Sequence, residues 1–362
     1  MSDIRYWIGF NRIAGVGTVR MQTLLDFFDG DLQSAWQADA WTLARAGLDR
    51  RTVESILETR PTIDLDHELS LVDRHEITVL TWEDEGYPRL LREIPNSPPV
   101  LYMRGELAVE DDWAVAVVGT RRVTAYGRQA TETLASGLAK AGLTIVSGLA
   151  LGVDRIAHES ALRAGGRTIA VLANGVEKPY PASNRKLAEA IVREGRGVLM
   201  SDYPIGTRPE ASNFPPRNRI ISGLSLATVV TEAGERSGAL ITANYALDQG
   251  REVFAVPGDI FRVSCRGANS LISRGATPAL SVKSVLQTLD VQMVEPQKVV
   301  RQVVQTTPLE ERLLMILGSD PLHVDEVGHH CNLAPAELSS TLALLELKGL
   351  VRQVGAMTYV KV

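Results

Sequence analysis

The spacing of apolar residues changes twice along the chain. Before residue 77 it is helical, as in Met21, Leu24 and Phe28. From residue 113 to 256, short apolar runs alternate with amphipathic segments of helix length, which is typical of a parallel sheet covered by helices. From residue 309 the spacing is again helical and ends in two short apolar runs. The pattern predicts a helical part, an α/β part and a second helix-rich part.

The first 76 residues are predicted to form short helices joined by tight glycine turns. Gly15-Val16-Gly17 separates two helical segments, and Ala46-Gly47 is a looser version of the same turn. Such turns can present backbone N–H groups to phosphate. The segment is therefore either a helix-hairpin-helix or SAM-like module that contacts DNA, or a small helical interaction domain. Residues 1–80 hold 8 basic and 13 acidic residues, which favours the second interpretation.

The middle part is predicted to be a Rossmann-like, mostly parallel sheet with a two-strand lead-in. Strands are predicted at 77–80, 100–103, 113–118, 143–146, 168–172, 197–200, 226–231, 252–256 and 279–280. Polar, glycine-rich clusters follow these strands at 119–121, 147–152, 213–219, 232–238 and 267–269. Ligands of open parallel sheets bind at the carboxyl ends of the strands. We therefore expect the clusters to meet at one edge and to bind an anionic or nucleotide-like ligand.

One of these clusters combines an aromatic residue with two arginines. Pro215 and Pro216 predict an extended segment, with a helix beginning after them and Arg217 at its open end. Phe214 before the prolines adds a stacking face, a combination suited to single-stranded nucleic acid. The alternative is a loop whose phenylalanine lies in the core and whose arginines cap carbonyl groups. The segment alone favours that alternative.

Composition limits the classes of function. With 45% hydrophobic and 22% charged residues, the chain is predicted to be soluble, with no signal peptide or membrane span. Two distant cysteines fit neither a disulfide framework nor a metal site, so the cytoplasm is expected. The net charge of −5 argues against a broad basic face for duplex DNA. Residues 81–362 balance at 30 basic and 30 acidic, so an anion site there is a local pocket.

The last part of the chain is predicted to be a winged helix. Three helices and a terminal hairpin follow a polar linker at 296–308. From residue 296 onward there are 6 basic and 7 acidic residues, whereas a winged helix that recognises DNA is usually basic. A protein-contact or vestigial role is therefore preferred to duplex binding.

The candidate catalytic residues favour structural support over chemistry. Asp154 and His158 are four residues apart and share a helix face, and Glu232 ends a strand. There is no G-x-G-x-x-G fingerprint, Walker motif, metal-ligand spacing, or serine or cysteine beside a base. We expect no catalysis and no cofactor.

Several motifs together resemble the DprA/Smf DNA-processing family. They include VAVVGTRRVTAYG (115–127), TIVSGLALGVDRIAH (144–158), SDYPIGTRPEASNFPPRNRIISGLS (201–225) and VVTEAGERSGALITA (229–243), and the resemblance covers essentially the whole chain. It implies a SAM-like module at 1–76, a Rossmann-like DNA-binding domain at 77–295, a linker at 296–308 and a winged helix at 309–362. It also implies a non-enzymatic recombination mediator of natural transformation. Such a protein binds and protects single-stranded DNA, helps to load the RecA recombinase, and forms a homodimer through the Rossmann-like core.

The resemblance, together with the strand-end clusters, gives a set of expected DNA contacts. Carried over by position, the family's pocket falls on Arg121, Phe214, Arg217, Asn218 and the Gly148 loop. Some relatives have a lysine just before the phenylalanine, where this chain has Ala211-Ser212-Asn213. We therefore expect basic side chains elsewhere in the chain to supply the missing positive charge. The full expected set is Gly119, Thr120, Arg121, Ser147, Gly148, Arg185, Phe214, Arg217, Asn218, Arg219, Ser237 and Gly238. Further basic candidates are Lys186 and Arg208.

Two other classes of function stay open. A Rossmann-like core with a strand-end glutamate is similar to that of lysine-decarboxylase-like nucleotide phosphoribohydrolases, although TEAGERSGA lacks their consecutive glycines. A duplex-binding transcription regulator would rest on the winged helix alone.

Overall fold

A computed structural model describes residues 3–193, 195–290, 308–317, 322–331, 333, 335–347, 351–355 and 357–361. The chain forms two compact units, residues 1–295 and 296–362. The division falls where the polar linker was predicted to begin. Of that linker, only Pro308 is among the described residues.

The first unit contains a mostly parallel nine-stranded sheet, which confirms the predicted α/β fold. Its strands are β1 (Thr78–Thr81), β2 (Val100–Gly105), β3 (Ala114–Val118), β4 (Thr144–Ser147), β5 (Thr168–Val171), β6 (Gly197–Ser201), β7 (Ala227–Val230), β8 (Glu252–Ala255) and β9 (Thr277–Pro278). The order across the sheet is β1-β2-β6-β5-β4-β3-β7-β8-β9. The β1/β2 and β2/β6 pairs are antiparallel, and the other pairs are parallel.

The order of strands reverses at β3. From β3 the chain runs outward through β4, β5 and β6, and then crosses to the other side of β3 to form β7. In the register, Ala116 lies opposite Val146 on β4 and Thr228 on β7. Such a reversal opens a crevice outside the carboxyl ends of the strands. The fold therefore predicts a ligand site beside Val118 and Val230.

Helices cover both faces of the parallel strands. Strand β3 shows why this cover is needed, because it carries apolar side chains on both faces. Val115 and Val117 pack in one hydrophobic cluster, whereas Ala116 and Val118 pack in another. The helices of this part are α7 (Arg89–Arg92), α8 (Ala125–Lys140), α9 (Val153–Arg163), α10 (Arg185–Arg193), α11 (Phe214–Gly223), α12 (Ala239–Asp248), α13 (Arg266–Ser273) and α14 (Val282–Thr288). An all-buried strand between two helical layers is the usual arrangement of a parallel sheet.

The N-terminal segment consists of six helices that pack on the same unit. They are α1 (Ile4–Asn11), α2 (Thr18–Phe27), α3 (Leu32–Gln37), α4 (Ala40–Arg45), α5 (Arg50–Thr59) and α6 (Leu65–Arg74). Gly15 adopts a φ of +91° in the predicted turn between α1 and α2. Trp7 and Phe10 of α1 belong to one hydrophobic cluster with Tyr102 of β2 and Leu199 of β6. The N-terminal helices therefore share a core with the sheet.

The prediction for the proline segment was wrong in one respect. Helix α11 begins at Phe214 and contains Pro215 and Pro216 in its first turn, whereas the helix was expected to begin after them. Proline is tolerated there because first-turn N–H groups have no partner within the helix, and its φ is already helical. One consequence is that this helix start offers an anion fewer backbone donors than expected.

Smaller differences lie at the edges of the sheet. The short helices α7 and α14 were not predicted, and the last strand is at Thr277–Pro278 instead of 279–280. All three are too short to show a clear period in the sequence.

The second unit has the winged-helix arrangement that was predicted. It contains α15 (Pro308–Ile316), β10 (Leu322–His323), α16 (Val324–Cys331), α17 (Pro335–Leu347), β11 (Val351–Gly355) and β12 (Thr358–Lys361). Strand β10, which was not predicted, extends the terminal hairpin to a sheet with the order β10-β12-β11. Leu313, Val327 and Leu342 lie at the centre of its core. Over both units, none of the described helices has the length and apolar character needed to cross a membrane.

Candidate functional site

A cleft of about 990 Å³ lies at the carboxyl edge of the sheet, beside β3 and β7. Four of the five polar clusters predicted from the sequence, with residues next to them, contribute to its wall. The residues are 119–122, 150, 154, 214, 215, 217, 218 and 234–238. Tyr180, Pro209 and Val263 complete its outline. The fifth cluster lies outside the cleft: Gly267 donates its N–H to the carbonyl oxygen of Ala233, at 2.8 Å.

Two aromatic rings and two guanidinium groups meet around Phe214. The ring of Phe214 is half-buried. The guanidinium carbon of Arg121 lies 5.2 Å from its centroid, and that of Arg217 lies 5.7 Å from it. The ring of Tyr180, which is 46% exposed, lies 6.1 Å from that of Phe214 at an angle of 59°. Both distances to the arginines are within the range of cation–π attraction.

Arg217 is a buried part of the cleft floor, only 3% exposed. Its Nη1 donates to the carbonyl oxygens of Gly148, at 2.9 Å, and Val171. A side chain at position 148 would force the guanidinium to move, because a Cβ there would lie 2.5 Å from Nη1. Burial lowers the pKa of Arg217 to about 10, against the opposing attraction of Asp154. The group therefore remains charged at neutral pH beneath the Phe214 ring.

Asp154 holds the loop between β4 and α9. Its Oδ2 accepts hydrogen bonds from the backbone N–H groups of Gly148, at 3.1 Å, and Ala150, at 3.3 Å. Burial raises the pKa of this carboxyl, and the charge of Arg217 opposes the rise. Gly152 has a φ of +78°, and a Cβ there would collide with the carbonyl oxygen of Thr120. The loops that follow β3 and β4 are thereby packed against each other.

The imidazole of His158 is neutral, and it forms its hydrogen bond with Thr168 and not with Asp154. Its Nδ1 lies 2.6 Å from Oγ1 of Thr168, whose own hydroxyl donates to the carbonyl oxygen of Ile145. Nδ1 must therefore carry the proton and donate it. Burial, helped by the charge of Arg217, lowers the pKa of His158 to about 3. The contacts of both residues are those of structural support.

Glu232 supports the loop that carries Arg121. Its carbonyl oxygen accepts from the N–H of Thr120, at 2.7 Å, and its Oε2 accepts from the N–H of Thr124, at 2.9 Å. The side chain is 1% exposed and packs against Gly127 of α8, not in the cleft wall. This carboxylate fixes the start of α8, where a negative charge is favourable.

The exposed arginines in the cleft wall have no acidic partners within the ranges that the structure describes. Arg121, Arg122 and Arg236 are exposed, and none of them forms an ion pair in the described part of the chain. By contrast, Arg185 pairs with Glu189 at 3.2 Å on the outside of α10. Three exposed guanidinium groups without an acidic partner among the described residues therefore lie where an anion can enter.

Eight of the twelve expected contact residues line the cleft. They are Gly119, Thr120, Arg121, Phe214, Arg217, Asn218, Ser237 and Gly238. Gly148 lies behind the wall, against the guanidinium of Arg217. Ser147 is buried and donates its hydroxyl to the carbonyl oxygen of Val117 at 2.7 Å.

The remaining two expected contacts, Arg185 and Arg219, are not brought into the cleft. Arg219 pairs with Asp202 at 2.9 Å and donates to the carbonyl oxygen of Asn96. It lies two positions after Arg217 on α11, so the two side chains point in different directions. The additional candidates Lys186 and Arg208 do not line the cleft either.

Sequence reasoning missed Tyr180 and Arg236. Arg236 lies within the cluster at 232–238, but only its neighbours Ser237 and Gly238 were selected. Tyr180 follows β5 by nine residues, and an aromatic residue in a strand-end loop was the available signal.

Comparisons with known proteins agree along the length of the chain. The family described as DNA recombination-mediator protein A matches residues 78–290, and the DprA winged helix domain matches residues 295–357. Protein Smf of Synechocystis is 37% identical, over 99% of this chain and 98% of its own length.

Two solved structures are also similar. DNA processing protein A of Streptococcus pneumoniae has a TM-score of 0.70 and 34% identity, over 79% of this chain and 98% of its own. DNA processing protein A of Helicobacter pylori has a TM-score of 0.53 and 32% identity, over 59% of this chain and 95% of its own; it was studied for its mode of binding single-stranded DNA. Since family matches span both units and the Smf relative aligns over nearly the whole sequence, this chain belongs to the DprA/Smf family of DNA-processing recombination mediators.

Proposed function

We propose that this protein binds single-stranded DNA in the cleft, protects it, and helps to load the RecA recombinase during DNA uptake and recombination. The observation that carries the proposal is the half-buried ring of Phe214 beside exposed, unpaired arginines at the sheet edge. A stacking face and a positive track are what single strands require. The mode of binding described for the Helicobacter pylori relative supports the same ligand.

The geometry favours single strands over duplex DNA. A base reaches the Phe214 ring only when it is turned out of its own stack, and in a duplex this costs pairing and stacking energy. Arg121 and Arg122 on the opposite loop can then neutralise the phosphates on either side of that base. The net charge of −5 leaves little general attraction for duplex DNA outside the cleft.

Arg217 has a different role in this proposal. Its Nη1 donates to two carbonyl oxygens inside the protein. It fixes the loop after β4 and places a buried positive charge behind the aromatic ring. It is a positioning residue that adds long-range attraction to the site.

The direct test is a fluorescence titration with oligo-dT and with duplex of equal length over a series of salt concentrations. Oligo-dT should bind far more tightly, and its affinity should fall with salt because phosphate binding releases counterions. Equal affinity for blunt duplex would contradict the proposal.

Three further parts of the proposal rest on the family relationship alone. We place the protein in the cytoplasm as a homodimer formed through the Rossmann-like core, with RecA as its protein partner. Mass measurement in solution tests the dimer, and assembly of RecA on strands already bound by this protein tests the partner.

We also propose that the protein catalyses no reaction. Glu232 is the residue on which the phosphoribohydrolase alternative depended, and its carboxylate binds the start of α8. Across the described ranges, no three His, Cys, Asp or Glu side chains group as a metal site. Purified protein is incubated with labelled strands, nucleotides or ATP, with and without magnesium. Turnover that disappears in Glu232→Gln while DNA binding persists would establish an enzyme instead.

A further inference from the structure

A second groove, of about 390 Å³, adjoins the cleft. It lies between α12 and α13, and residues 235–238 and 241 line both cavities. These shared residues form a ridge at the start of α12. At Gly238 a Cβ would meet no atom within 4 Å, so the ridge is open above this residue. A chain lying in the cleft can therefore cross it.

The side of the groove farther from the cleft also carries a positive charge and groups that can form hydrogen bonds. Arg274 at the end of α13 is exposed and forms no ion pair with any described residue. Ser270, one turn earlier, and Asn244 of α12 place an exposed hydroxyl and an amide beside it. Arg236 lies on the ridge, and its guanidinium, like that of Arg274, forms no ion pair with any described residue. The unpaired arginines thus continue from the cleft into the groove.

We propose that the groove is a second subsite for the same DNA strand, which crosses the ridge and places a phosphate near Arg274. This inference rests on the proposed single-strand function, because it extends the path of that ligand. The strand is the occupant that fits, since the groove is continuous with the cleft and both are lined by free arginines. The carboxylate of Glu235 on the ridge repels phosphates. The strand therefore crosses the ridge with its phosphates directed toward Arg236.

The subsite predicts an effect of strand length. We expect oligo-dT of about 4 nucleotides, the lower end of known single-strand site sizes, to occupy the cleft alone, and about 16 nucleotides, the upper end, to reach the groove as well. Arg274→Ala should leave the short strand unaffected and weaken the long strand about fivefold at 0.1 M salt, with the salt slope reduced by about 0.7. Arg266→Ala is the matched control, because Arg266 is exposed on the same helix and lines neither cavity. Glu235→Gln should tighten binding of the long strand.

The outcomes separate this inference from the proposed function. If the wild-type protein binds neither strand, the proposed function fails. If both strands bind but Arg274→Ala and Arg266→Ala behave alike, the function stands and the second subsite is wrong. Mass measurement in solution is made on each variant. A change in subunit number in Arg274→Ala would show that the groove is a protein contact, and this too would overturn the proposal.

Discussion

Two arginines contact the ring of Phe214, and they differ in what surrounds them. Arg217 is enclosed and donates to backbone carbonyl oxygens, as the alternative interpretation of this segment expected. Arg121 is exposed and unpaired, and Phe214 lies at the cleft surface, as the DNA-binding interpretation expected. In the structure, Arg217 therefore supports the fold, whereas Arg121 is exposed in the cleft wall.

This division predicts different effects for two substitutions. Arg121→Ala should weaken binding of oligo-dT and reduce the salt slope by about 0.7, because one phosphate contact is lost. Phe214→Ala should cost about 1–3 kcal/mol of binding free energy with an unchanged slope, because stacking releases no counterions. Both are measured by titration at several salt concentrations. If Phe214→Ala is unfolded by circular dichroism, the ring belongs to the core and the stacking interpretation is wrong.

His158 predicts a loss of stability in acid. Unfolded chain binds a proton on this imidazole near pH 6.5, whereas the folded protein keeps it neutral down to a pKa of about 3. Its contribution is therefore complete above pH 6.5 and decreases as the pH falls toward 3. Between pH 7 and 4.5 the decrease should be about 2–3 kcal/mol.

The measurement is urea unfolding of the wild type and His158→Gln across that pH range. Asp154, whose pKa is raised by burial, contributes in the opposite direction in both proteins, so their difference isolates His158. Parallel stability curves would contradict the neutral, buried imidazole.

At the scale of elements, the site depends on the fit between α11 and the loop after β4. The prolines let α11 begin at Phe214, which sets Arg217 one turn inside the helix and directs it under the loop. Gly148 is the contact point, since its missing side chain leaves the space that the guanidinium occupies.

Gly148→Ala should therefore displace Arg217 and destabilise the fold by about 1–3 kcal/mol through overpacking. Weaker binding of oligo-dT should accompany it, because the ring of Phe214 loses its support. Gly86→Ala is the control outside the cleft, because a methyl group there has no neighbour within 4 Å. Urea unfolding and titration are measured on both. Equal stability of the two variants would show that the contact is unimportant.

The elements differ in how far the sequence could predict them. Strand β3 is a continuous apolar run, and β7 is apolar except for Thr228, so their existence and the meeting of their loops followed from pattern alone. The start of α11 did not, because prolines are compatible with both an extended segment and a first helical turn. The place of Arg219 could not be predicted either, since its partner Asp202 lies on another loop. Such pairings depend on tertiary structure, which local periodicity does not contain.

At the scale of the whole molecule, charge is unevenly distributed along the sequence. Residues 1–80 carry the entire acidic excess. Aspartates there cap helices: Asp31, Asp39 and Asp49 each accept a backbone N–H at the start of a helix. Part of that acidic excess therefore serves to cap helices. Because the excess lies outside the nearly neutral sheet domain, the exposed arginines of the cleft remain without acidic partners in the described part of the protein. The acidic segment also discourages nonspecific contact with DNA.

The division into two units leads to the last prediction. All residues that line the cleft belong to the unit of residues 1–295, which has its own core. The C-terminal unit holds 6 basic and 7 acidic residues from position 296 onward and supplies no positive track. Deletion of residues 309–362 should therefore leave the affinity for oligo-dT within about twofold and the salt slope unchanged, because no phosphate contact is removed. The truncated and full-length proteins are compared in parallel titrations, with circular dichroism as the control for folding. The isolated fragment 309–362 is titrated with duplex DNA, and tight binding would show that the charge balance misrepresents the role of the winged helix.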